Sequence, residues 1–157
     1  MRRDHAVVIE GVLRDFPRIN SDRVLREQWL EVMAVSPGGS TDRTDGGTFK
    51  PVQDRFIQAM DETFLKKLQR IVKTLYAAYA SLENNERRVI SLCCFEDMDI
   101  DSVSMKMDAN YRYVQRKKSS GLIKMRHACM AVFPDVEDWR EREQFELSKQ
   151  LSLLSDS

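Results

Sequence analysis

Between Val52 and Ala80 the chain runs without a glycine or proline, and its large apolar residues recur at steps of three and four. Phe56, Met60, Phe64, Leu68, Ile71, Val72, Leu75 and Tyr79 therefore share one side of a helix. At 1.5 Å per residue such a helix spans ~45 Å, more than a small domain needs for its own core. It either links an N-terminal part to a C-terminal unit, or packs against a second subunit, or is an ordinary core helix. Glycine and proline number only 6 and 4, and most of them gather between Val35 and Pro51. That distribution favours helices over a turn-rich β fold, and the expected fold class is all-α.

On either side of this element the pattern stays helical. Val7, Val8, Val12 and Leu13 mark a first helix over Asp4–Asp15, which Pro17 is expected to interrupt. Asn20 or Ser21 can cap a second helix to about Ala34, carrying Val24, Leu25, Trp29 and Met33. Residues 1–34 thus read as an N-terminal helical pair. Residues 35–51, with Pro37, Gly38, Gly39, Gly46 and Gly47, read as a mobile connection. The long helix occupies 52–81. Three further helices are expected at Asn84–Phe95, Ile100–Met107 and Tyr111–Val132, with Pro134 closing the last, so that 82–133 form one unit. An acidic amphipathic tail helix, carrying Trp139, Phe145, Leu147, Leu151 and Leu154, then fills 134–157.

Charge narrows the function. The formal net charge is zero, which at first argues against a nucleic-acid binder. Its distribution argues the other way. No acid occurs from Ala109 to Pro134, while Arg112, Arg116, Lys117, Lys118, Lys124 and Arg126 are all basic. From Asp135 onward 7 acids face 3 bases. A phosphate backbone responds to that local field and not to the average.

Other chemistries find little footing. The 3 cysteines, with Cys93 and Cys94 adjacent, sit on apolar stripes and read as small buried hydrophobes. His5 and His127 have no zinc-ligand spacing to them. Glu96, Asp97, Asp99 and Asp101 read as a solvated turn in which Asp99 caps the next helix. No carboxylate–histidine pairing or phosphate-binding glycine loop suggests an enzyme, a metal or a cofactor. No run of 18 apolar residues and no signal-peptide core occur, so a cytoplasmic location without membrane contact is expected.

The span Leu82–Arg126 follows helix-turn-helix grammar. Ile100 and Val103 give a short supporting helix its buried side, and small Ser104 stands where helices approach. Asp108-Ala109 makes the turn, and Asn110 caps the next helix. Val114, Gly121, Leu122, Met125 and Cys129 form that helix's inward stripe. Its candidate DNA-binding residues are Asn110, Tyr111, Arg112, Tyr113, Gln115, Arg116, Lys117, Lys118, Lys124 and Arg126. Arginine reads guanine and glutamine reads adenine through bidentate contacts. Lys118, Lys124 and Arg126 are placed for phosphates. Tyr111 and Tyr113 suit packing as well as they suit DNA.

The segment LENNERRVISLCCFEDMDIDSVSMKMDANYRYVQRKKSSGLIKMR resembles region 4 of the sigma-70 family. More of the chain, about Val8 to Met130, resembles the RinA/ArpU-like phage transcriptional regulators. The likeness rests on "RDFP", "LEVM" and "TDRTDGGTFKP" in that order, with Gly46–Pro51 the most distinctive piece. It implies activation of phage or prophage late and packaging genes from double-stranded DNA. Host RNA polymerase is then a candidate partner, and homo-oligomers are expected. It also implies that Val114 is the buried valine of the recognition helix and Asn110 its cap. Tyr111, Arg112, Gln115 and Arg116 would face the bases. The acidic tail departs from that family pattern. A phage small terminase subunit, which marks DNA for packaging and assembles into rings, is the competing reading. A purely structural helical protein is a third.

Overall fold

The computed structural model of the protein describes residues 3–35 and 52–155, and within them the side chains of 4–32 and 62–155. The connection expected at 35–51, apart from Val35 itself, lies outside the described residues, as do the side chains of Met33, Phe56 and Met60. The described residues form helices α1 (Arg3–Val35), α2 (Val52–Ala80), α3 (Asn84–Ile90), α4 (Ile100–Met107) and α5 (Tyr111–Ser155), with a π-helical turn over Ser91–Phe95 extending α3. Among the described residues every regular element is helical. None of these helices is long and apolar enough to cross a membrane.

Two expectations are corrected, both at prolines. The N-terminal pair is one helix, and Pro17 lies inside it. Proline removes the N–H that would bond the Leu13 carbonyl, at a cost of about 3 kcal/mol. Ile9, Val12, Leu13 and Ile19 are all fully buried around it, and each contributes about 1.5–3 kcal/mol. Packing outweighs the break. Asn20 does not cap a second helix: its side-chain oxygen accepts from the Arg23 guanidinium at 2.9 and 3.1 Å.

Pro134 likewise does not close the last helix, which runs on to Ser155. Val132, Val136 and Trp139 are buried on either side of the proline. The acidic stretch is therefore no separate tail in its first half. Lys67 meets Asp138 at 2.7 Å, Arg70 meets Asp135 at 3.1 Å, and the Arg142 guanidinium lies 4.3 Å over the Phe64 ring. That register runs α2 antiparallel to the second half of α5. Trp139 donates its indole N–H to Asp22 of α1 at 3.1 Å, and Arg140 pairs with Asp15 at 2.6 Å.

The long helix expected at 52–81 is present with nearly those bounds. The described part of its stripe packs inside this chain: Phe64, Leu68, Ile71 and Leu75 join the core with α1 and α5. The same core continues through Val89, Ile90, Leu92, Val103, Val114, Met125 and Cys129, so α3–α5 are packed onto the α1/α2 layer. Phe95, at the end of the π turn, sits 5.3 Å from Phe16 and 5.4 Å from Tyr79. One ring thereby touches both long helices. Cys93, Cys94 and Cys129 are free and buried. Burial pushes the thiols of Cys94 and Cys129 up to about 12, far from a reactive thiolate.

Candidate nucleic-acid interface

α4 is capped by Asp99, whose carboxylate accepts the Ser102 N–H at 2.7 Å, and this bond holds the carboxyl below its usual range. Val103 is fully buried beneath it. The helix ends where Asp108 takes the left-handed conformation, φ 53° and ψ 48°. Glycine is the usual residue for that backbone, and aspartate is one of the few others to adopt it. The Ala109 N–H returns to the Ser104 carbonyl at 3.0 Å, closing the turn. Asn110 then caps α5, its side-chain oxygen accepting the Tyr113 N–H at 2.7 Å.

The inward stripe of α5 lies where its spacing puts it, with Val114, Gly121, Leu122, Met125 and Cys129 all buried. Gly121 is needed for a close approach. A Cβ there would stand 2.8 Å from Ile90 Cγ1 of α3. Beside it Glu86, 1% exposed, accepts from Lys124 at 2.9 Å, from the Ser120 hydroxyl, and from the Glu83 N–H at 3.0 Å. Burial pushes this carboxyl up, but the three hydrogen bonds outweigh burial and hold it at about 2. α5 is thus fixed to α3 by a close-packed glycine and a buried charge.

This frame sorts the candidate residues. Arg112, Gln115 and Arg116 are exposed on the first two turns of α5, beside exposed Asn110 and Tyr111. Among the described residues Arg112, Arg116 and Arg126 have no ion-pair or hydrogen-bond partner. Four of the expected contacts are occupied within the protein. Tyr113 is half-buried and its hydroxyl accepts from Asn85 at 2.7 Å. Lys117 pairs with Glu83 at 3.4 Å and rests 5.6 Å over the Tyr113 ring. Lys118 pairs with Glu10 of α1 at 3.3 Å, and Lys124 is bound to Glu86. Lys118 and Lys124, expected to bind phosphates, thus also face acids of α1 and α3.

Ser119 and Ile123 belong to the outer face, although composition gave no reason to choose them. Steps of three and four from Arg112 lead through Arg116, Ser119 and Ile123 to Arg126, and all five are exposed. Two shallow grooves on this face share Gln115 and Arg116. Among the described residues no group of His, Cys, Asp and Glu could hold a metal ion.

No protein-family model, curated protein or solved structure matches this chain. The likeness to the RinA/ArpU-like regulators accordingly rests on the residues quoted for it.

Proposed function

We propose that the chain is a sequence-specific, double-stranded-DNA-binding transcriptional regulator whose reader is the first two turns of α5. The observation that carries this reading is the contrast within one basic helix. Lys117, Lys118 and Lys124 are paired within the protein, while Arg112 and Arg116 stand exposed and without a partner after a left-handed turn and an asparagine cap. Leaving two guanidiniums unneutralised on a rigid helix end suits insertion into a major groove. In this reading α3–α5 act as a sigma-70-region-4-like helix-turn-helix, with α4 as support. Arg112, Gln115 and Arg116 contact base edges, and Arg126, ~20 Å further along the helix, contacts phosphate. Activation of phage or prophage late and packaging genes is the role the family likeness adds.

Selection from a pool of random duplexes tests the proposal. The wild-type protein should enrich one motif, and Arg112→Ala/Arg116→Ala should lose it, with discrimination falling by about 1–3 kcal/mol per lost bidentate contact. Enrichment of no motif, or of the same motif by the variant, would remove α5 as the reader.

A further inference from the structure

α1 meets α5 through Gly11, Asp15, Arg18, Asp22 and Arg26, and α5 answers with Trp139, Arg140, Glu143 and Glu146. Continuing those helical faces by steps of three and four leads to Leu25, Trp29 and Val32 on α1. On α5 it leads to Leu147, Leu151 and Leu154. None of these six joins the core: Leu25 is 64% exposed, Trp29 49%, Leu147 55% and Leu151 58%. Past the Arg26–Glu146 pair, at 3.6 Å, both helices present apolar rows to solvent at the same end of the molecule.

We propose that these two rows are the docking surface for a second copy of this chain, seated about a two-fold axis. Residues 144–155 continue α5 as helix and are exposed throughout, so their apolar row is open to a partner. The four-then-three spacing of Leu147, Leu151 and Leu154 is the seam by which helices pair with their own kind. The positions flanking that seam, Ser148 and Gln150, carry no charge, and Glu143 and Glu146 are already matched by Arg18 and Arg26. An identical helix therefore meets no like charge. Finally, six side chains exposing on the order of 100 Å² each offer ~600 Å² per copy, at the upper end of patches on monomers. A second copy bringing the same two rows buries ~1,200 Å² in all, which meets the lower bound of a specific interface.

This association stands apart from the DNA reading and is measured without DNA. Sedimentation equilibrium of the full chain at micromolar concentration should give twice the mass of one chain. Leu147→Glu/Leu151→Glu should return it to one mass with an unchanged helical circular dichroism spectrum. Trp29→Gln, on the other row, should weaken association about tenfold or more. Met105→Glu, at a residue 83% exposed on α4, should leave the pair intact. A single-chain mass for the wild type, a ring of higher order, or a pair that survives the substitutions in both rows would each overturn the proposal.

Discussion

Glu86 and Asp135 are the buried charges among the described residues, and Glu86 sits directly behind the proposed reader. Its carboxyl, held at about 2 against an ordinary 4.5, ties stability to pH with a definite sign. Because the folded value is the lower one, the contribution is complete above about pH 4.5 and is lost as pH falls through about 2. Glu86→Gln should cost about 1–3 kcal/mol at pH 7, and the difference from wild type should close as pH drops across that window. Denaturant unfolding at several pH values reads both effects, and a pH-independent difference would count against the network. Residue-scale chemistry was only half legible in the sequence. The acid-free run from Ala109 to Pro134 marked α5 as basic, but Lys118 and Lys124 pair with Glu10 and Glu86, far away in the chain. Local composition carries no record of such partners.

At the scale of elements, the position of α5 depends on Gly121. Its contact with Ile90 leaves no room for a methyl group, and Ile90 is fully buried and cannot swing aside. Gly121→Ala should destabilise the protein by about 1–3 kcal/mol through overpacking, despite the better helix propensity of alanine. A stabilised variant in thermal unfolding would show that α3 and α5 are looser than described. Helix identity was legible wherever periodicity was strong. α2 and α4 match their expected bounds, and the Asp108 turn and Asn110 cap follow from residue type. The misses at Pro17 and Pro134 share one cause. A proline is a local penalty of about 3 kcal/mol, and the buried residues that offset it, such as Ile19 and Trp139, act through tertiary packing that a local rule does not see.

For the whole molecule, the same long helices that build the core also set where the exposed surfaces lie. The proposed reader residues occupy the start of α5, and the apolar rows lie at its far end with the second half of α1. Two copies joined there would carry two readers, and a paired site is what a short recognition helix needs for useful affinity. A neutral chain makes that association free of net repulsion, while the unpaired arginines of α5 keep a local positive field. The central claim, that this field engages DNA, is tested most directly by titrating affinity for a selected duplex against salt. With Arg126 on a phosphate, log affinity should fall against log salt with a slope of about −0.9 per reader from that contact alone, and the charges of Arg112 and Arg116 in the groove should steepen it. The triple alanine variant should flatten it. A wild-type slope near zero, or one unchanged by the triple substitution, would contradict the account.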